Sequence, residues 1–390
     1  MRKTLAVVIA GISALSIAAC SSSSTTTSGS GATGSATGSA TGSSTGGASA
    51  GASAGVAAAK AYQQQFLNTP TSIGISTPLK SKPASGKLLV GLDSGLGSAK
   101  VLAQYWAQAA ADAGWTYKDL ISGSTSSTQQ SAMNSAIQLN PAGILTSGIP
   151  NSTIQTQLAL AAQKGIWVNS SATTSPPSGA MFDTSIANPD QLHQWGKMVA
   201  GYVVTQSNGK ADIQMFSLPV FPILYEFDIA FKAAIAQWCP DCKVTEHPQQ
   251  GSDIGTKTPQ SVVSAVTRDP STNWLIFDLG DLETGVTAAL SAAGLHGQHI
   301  GGLTADVPNI QGLKDKTQDV WTAYSLPIVA YRQVDSFARK FEDMPTLNAA
   351  LPTQLLTQDN VGSMVADSAQ NYVGVANYRT QFQQLWHVSG

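Results

Sequence analysis

Leu88-Leu89-Val90-Gly91-Leu92 is closed by Asp93-Ser94-Gly95-Leu96-Gly97-Ser98, after which Leu102, Tyr105, Trp106, Ala109 and Ala113 recur at helical spacing until Gly114. A short continuous apolar run bounded by turn residues reads as a strand buried on both faces, and the period that follows as a helix ended by glycine. The same order returns at once. Residues 116–121 read as a strand, 127–139 as a helix with Met133, Ala136 and Ile137 inward, and 142–146 as a strand. Residues 154–164 read as a helix stopped by Gly165, and 166–169 as a fourth strand. Strict alternation of strand and helix predicts a parallel sheet covered on both faces.

The pattern restarts after Phe182-Asp183-Thr184, where Asp183 is expected to order a crossing between lobes. Leu192, Trp195, Val199 and Tyr202 share one helical face, and strands are expected over 212–217, 243–247, 274–277 and 300–303. Helices are expected between them, over 222–238, around Val262, Val263 and Val266, and over 282–293. The predicted fold class is α/β, with two doubly wound, Rossmann-like parallel-sheet lobes joined by a multi-strand hinge. Strands at 320–324 and 354–357 and helices at 328–341 and 378–386 exceed what two lobes need, so the chain is expected to cross between lobes repeatedly. The expected bounds are 60–85 for an extension, 86–182 with 327–357 for the first lobe, and 183–326 with 358–390 for the second. Ligands on open α/β sheets sit outside the carboxyl ends of strands, so two such sheets facing each other form a cleft.

Only 11% of the 390 residues are charged, 42% are hydrophobic, and the net charge is -2. That composition excludes a solvated disordered chain and supplies no basic surface for nucleic acid. Arg2 and Lys3 precede an apolar run over 5–17, then Ala18, Ala19 and Cys20. This order is that of an export signal, too short and wrongly flanked to span a membrane. Ile17-Ala18-Ala19-Cys20 resembles the bacterial lipobox, which implies a diacylglyceryl group on Cys20, residues 1–20 as a signal peptide, and anchoring to the outer face of the cytoplasmic membrane. Residues 21–55 are Ser, Thr, Gly and Ala alone. They cannot bury enough apolar surface to offset the entropy of ordering, so 21–59 is expected to be a disordered tether, of which 21–55 would span about 30 to 35 Å. Cys239-Pro240-Asp241-Cys242 follows an expected helix rather than opening one, which reads as a structural disulfide closing the helix end rather than a redox pair.

No enzyme signature is prominent. Gly95-Leu96-Gly97 lacks the third glycine of a dinucleotide fingerprint, with Lys100 in its place. From residue 86 onward there is neither a phosphate-binding G-x-x-x-x-G-K-[ST] loop nor a G-x-S-x-G elbow. His296 and His299 have no third ligand nearby in sequence, and His193, His247 and His387 are scattered. No catalytic residue, metal site or cofactor is expected.

The order of elements resembles the type I periplasmic binding proteins, the ribose- and galactose-binding family that feeds ABC importers. The matching stretches are Gly86-Lys87-Leu88-Leu89-Val90-Gly91-Leu92-Asp93, Asn140-Pro141-Ala142-Gly143-Ile144-Leu145, Ala161-Ala162-Gln163-Lys164-Gly165-Ile166-Trp167-Val168, and 282–294 after Asp278-Leu279-Gly280-Asp281. Pro78-Leu79-Lys80-Ser81-Lys82-Pro83 also resembles the preamble of lipid-anchored actinobacterial members. The resemblance implies a monomer outside the cell that captures a small solute between closing lobes and hands it to an ABC permease, without chemistry on the solute.

The resemblance also nominates site residues at the strand ends. These are Asp93, Ser94 and Leu96 in the first loop, where amides at a helix start donate to ligand oxygens. Ser170 and Ser171 stand where sugar binders carry Asp-Arg, and Tyr225 stands near a family Arg. Gly280 and Asp281, Thr304 and Asp306, and Tyr324 and Ser325 complete the set. Trp167, Phe221 and Tyr225 are candidates to cover an apolar ring or a sugar face. The charged clamp that grips vicinal hydroxyls is largely missing, so less is available to offset desolvation of a very polar ligand. A sugar or polyol-like solute is expected; a less polar aromatic solute, or a sensing lipoprotein signalling to a membrane receptor, is the alternative.

Overall fold

The structure is a computed structural model and describes residues 46–388. Cys20, the expected signal segment and residues 21–45 lie outside the described residues.

The first lobe is a five-stranded parallel sheet in the order β2-β1-β3-β4-β5. Its strands are β1 Leu88–Asp93, β2 Thr116–Ile121, β3 Gly143–Ser147, β4 Trp167–Ser171 and β5 Met181–Asp183. Helices α2 Gly97–Asp112, α3 Ser126–Gln138 and α4 Gln155–Gln163 cross over between the strands. Alternation along β1 sends Val90 and Leu92 to one face, against Met133 and Ile137 of α3 and Leu158 of α4. Leu89 goes to the other face, with Leu102 and Trp106 of α2.

The second lobe is a six-stranded sheet in the order β11-β10-β9-β8-β6-β7. It comprises β6 Asp212–Ser217, β7 Lys243–Pro248, β8 Trp274–Phe277, β9 His299–Leu303, β10 Val320–Tyr324 and β11 Thr353–Thr357. All pairs are parallel except β10 with β11. Around it lie α5 Pro189–Gln206, α6 Pro222–Trp238, α7 Lys257–Arg268, α8 Val286–Ala292 and α9 Val307–Lys314. Cys239 and Cys242 form a disulfide at the end of α6, and Cys242 Sγ accepts the Ala211 N–H at 3.1 Å.

After β10 the chain returns to the first lobe as α10 Leu326–Phe341. Gly143 makes this docking possible, because a Cβ there would collide with the Phe337 ring. Gln333 donates to Thr146 O at 3.1 Å and Asn169 Oδ1 at 2.9 Å, and accepts from Trp106 Nε1 at 2.8 Å. The chain then goes back to the second lobe for β11, held on its way by Arg332, whose guanidinium donates to Leu347 O at 2.7 Å.

Two of the expected lobe bounds are therefore corrected. Thr353–Thr357 belongs to the second sheet, because Leu355 and Leu356 bury themselves in register with Thr322 and Trp321 of β10. The last helix, α11 Tyr378–Leu385, belongs on the first lobe. Its stripe of Tyr378 and Phe382, continued by Trp386, packs on Tyr331 of α10, and Arg379 pairs with Asp112 of α2 at 2.6 Å.

A third correction concerns the tether. Residues 46–63 form helix α1, laid on α5 and α6, so the expectation of disorder fails from residue 46 onward. Small residues allow the close approach. Ala59 is fully buried, a Cβ on Gly201 would lie 3.0 Å from Ala59 O, and Tyr62 packs on Trp238 at 5.6 Å. Leu67 O then accepts from Gln354 and Asn360 of the second lobe, both at 3.0 Å. Further on, Thr71 O accepts from Gln381 at 3.1 Å and Ala84 O from Trp115 at 2.8 Å, both on the first lobe. The extension thus straps one lobe to the other. Among the described residues no helix is long and apolar enough to cross a membrane.

Candidate ligand-binding cleft

The carboxyl ends of the two sheets face each other. On the first lobe, β1 ends in Asp93, which is 2% exposed and whose Oδ1 accepts the Gly95 N–H at 2.7 Å. Gly95 has φ +88, a left-handed conformation that favours glycine, and this tight turn delivers Leu96 as the N-cap of α2. No side chain of the first lobe caps the start of α2, so its first amides point outward.

The second lobe supplies the missing cap. After β8 the chain turns through Gly280–Glu283, and Asp281 reaches across. Its Oδ1 accepts the Gly97 N–H at 2.9 Å and its Oδ2 the Ser98 hydroxyl at 2.8 Å. A carboxylate at a helix N-terminus meets an orphan backbone donor, here the Gly97 N–H, and the positive end of the helix dipole, while its second bond is to a side-chain hydroxyl. Next to it, Asp306 caps α9, with Asn309 Oδ1 accepting the Asp306 N–H at 3.0 Å. Burial and the neighbouring Asp281 carboxylate push the Asp306 carboxyl well above the usual carboxylate range. Tyr324, at the end of β10, stacks on Trp195 at 4.4 Å, and burial pushes its phenol up to about 12.

Between the lobes lies a cavity of about 90 Å³. The first lobe lines it with Leu92, Leu96, Leu102 and Trp106, together with Ser94, Ser98 and Ser147. The second contributes Phe221, Ile223, Leu224 and Leu279, and the crossing strand and helix add Tyr324 and Leu326. No charged side chain lines it.

Of the residues nominated from sequence, Ser94, Leu96, Phe221 and Tyr324 line this cavity. Gly280, Asp281 and Asp306 line a separate cavity of about 260 Å³, with Gly97. Asp93 shapes the first loop, and Ser325 caps α10 by accepting the Ile328 N–H at 3.2 Å. Ser170, Ser171 and Thr304 are buried and line neither cavity.

Two aromatic nominations are corrected. Trp167 begins β4, at the end of the sheet away from the cleft, where it meets Phe182 edge-on at 6.2 Å beneath the Lys340 ammonium at 4.0 Å. Tyr225 is half exposed; one helical step of about 100° beyond Leu224 turns it out of the cavity. Sequence reasoning missed Leu102 and Trp106 as lining residues, reading their helical period as core alone, and it missed Leu279 and Leu326, which only the facing of the lobes brings together.

His299 Nδ1 bonds to Asp319 Oδ1 at 2.9 Å, and this contact raises the imidazole pKa. Both it and His296 line a different pocket, away from the cleft. Among the described residues no group of three or more His, Cys, Asp or Glu side chains is placed to hold a metal ion.

Comparison with known proteins agrees with this architecture. A family model for the periplasmic binding protein domain matches residues 99–341. A sugar ABC transporter structure from Yersinia enterocolitica superposes with a TM-score of 0.67 at 15% identity, covering 79% of this chain and 97% of that one. An ABC transporter solute-binding protein from Burkholderia graminis, in complex with D-arabinose, gives a TM-score of 0.62 at 18% identity over 73% of this chain and 99% of that one. One from Agrobacterium vitis with bound allitol gives 0.61 at 17% identity, over 71% and 97%. At these identities the likeness is one of fold. No curated protein sequence matches the chain significantly. The family match spans more than half of the 390 residues, and with the two facing parallel sheets it establishes that the chain belongs to the periplasmic binding protein family, in its two-lobed type I form.

Proposed function

We propose that the protein is the solute receptor of an ABC importer, held outside the cell by a lipid on Cys20, acting as a monomer and leaving its solute chemically unaltered. The observation that carries this reading is the cavity at the facing carboxyl ends of the two sheets, beside which Asp281 of one lobe bonds to the first turn of α2 on the other. In the open state the lobes separate about the crossings near 68–70, 184–188, 324–326, 342–352 and 358–377, and solvent enters the seam. A solute that touches both lobes binds the closed state better, and so shifts the population toward closure. Asp281 then re-forms its bonds to Gly97 and Ser98, and the permease recognises the closed pair of lobes.

No charged side chain lines the cavity, which favours a neutral solute. The solved structures with D-arabinose and with allitol supply the analogy for a sugar or polyol. The apolar leucines around the cavity favour the second reading, a less polar ring compound. The test is native mass spectrometry of the intact protein after exposure to a mixture of neutral metabolites, followed by ATP hydrolysis by the reconstituted permease. One solute retained at its own mass that also stimulates ATP hydrolysis is the expected result. Retention of none, or release of an altered product, contradicts the reading.

A further inference from the structure

The charged and amide side chains at the carboxyl ends of the first sheet are already occupied; the hydroxyls of Thr146 and Ser171 are buried without a partner and do not line the cavity. Asp93 Oδ1 is taken by the Gly95 N–H, and both Asp281 oxygens by α2. Asp183 accepts from Asn169 at 3.1 Å, Ser336 at 2.6 Å and the Ser185 N–H at 3.0 Å. The Asn169 carbonyl is in turn held by Gln333 at 2.9 Å. None of these side chains lines the cavity. What remains facing it is a wall of leucine, isoleucine, phenylalanine and tryptophan, interrupted by the hydroxyls of Ser94, Ser98, Ser147 and Tyr324. The Ser98 proton is spent on Asp281, so that oxygen offers only lone pairs.

We propose that this cleft selects a small neutral solute that is mostly apolar, an aromatic or alicyclic alcohol or ketone with one or two polar groups, in preference to a polyhydroxylated sugar. The inference rests on the solute-receptor reading and names the class of its ligand. Each ligand hydroxyl buried without a partner weakens binding by roughly 10- to 100-fold, and a sugar presents more hydroxyls than four scattered protein hydroxyls can match. Each methylene set against the leucines instead tightens binding by about fourfold. The cavity of about 90 Å³ is smaller than the roughly 150 Å³ engineered cavity known to hold benzene, so a one-ring guest such as benzyl alcohol fits only with the lobes slightly farther apart than in this structure.

The experiment is titration calorimetry of the intact protein with benzyl alcohol and with D-arabinose as probes, repeated on Leu224→Asn. Benzyl alcohol is expected to bind at least about tenfold more tightly than D-arabinose, a difference of about 1.4 kcal/mol, and to lose about tenfold in the variant. Should the variant fail to fold, the ratio measured on the unsubstituted protein decides alone. D-arabinose binding equally well or better overturns the ligand class and leaves the receptor reading standing. Binding of neither probe also overturns the class, and the receptor reading is then judged separately by whether the metabolite mixture yields a retained solute.

Discussion

In the proposed mechanism, Asp281 is the residue on which closure turns. Its two bonds cross the seam, and each charge-assisted bond of this type contributes about 1–2 kcal/mol. Asp281→Ala is expected to weaken the retained solute about tenfold while leaving the melting temperature nearly unchanged, as read by calorimetry and circular dichroism. Unaltered affinity would remove Asp281 from the closing mechanism. Asp228 tests the electrostatics of the second lobe. It is 1% exposed, its Oδ1 has no hydrogen-bond partner, and burial followed by repulsion from Glu246 pushes its carboxyl up to about 7 against the pull of Lys232. Asp278, fully buried nearby, is raised by burial and by Asp228 in turn.

Below the unfolded carboxyl value, near 4, both states hold the Asp228 proton. Between there and about 7 the native state binds more protons than the unfolded one, so stability falls as pH rises, and above 7 the loss is complete. Asp228→Asn is expected to gain in melting temperature relative to the parent between pH 5 and pH 8. A difference that does not change across this range would refute the assignment. None of this was legible in sequence, where Asp228 is one of two acidic residues, with Glu226, inside an apolar helix. Asp93 and Asp306 were named as site candidates at strand ends; Asp93 Oδ1 is taken by the Gly95 N–H, whereas Asp306 lines the second cavity and its Oδ2 has no hydrogen-bond partner.

At the scale of elements, the alternation of apolar run and helical period located β1 to β4 and α2 to α6, because each buries itself by a local pattern. The exceptions need partners far away in sequence. Residues 46–55 are indistinguishable by composition from the tether before them. What orders α1 is the shallow surface offered by Gly201 and the aromatic pair of Tyr62 and Trp238. Gly201→Leu is expected to overpack this contact, at about 1–3 kcal/mol, and to strip hydrogen-exchange protection from 55–63 while the two sheets keep theirs. Retained protection in α1 would show that the close approach at Gly201 is not what holds it. Thr353–Thr357 is a similar case. Five residues of extended chain carry no sign of which sheet they join, and the pairing with β10 is decided by where α10 leaves the chain.

For the molecule as a whole, the two-sheet plan was legible and the wiring was not. The chain leaves and re-enters each lobe several times, α10 and α11 seal the first lobe from the far end of the sequence, and the extension before β1 ties the lobes once more. In the proposed mechanism the seam between the sheets is where the body opens. The interior of that seam was misjudged in part, because helix positions such as Leu102 and Trp106 serve as core and as cavity wall at once.

The most direct test of that account is the distance between spin labels at Ile121→Cys on the rim of the first lobe and Val220→Cys on that of the second, positions 63% and 41% exposed. Double electron–electron resonance is expected to show a short distance that sharpens with solute and a longer one that dominates in Asp281→Ala. One unchanging distance in all three samples would contradict the closing of two lobes around a guest.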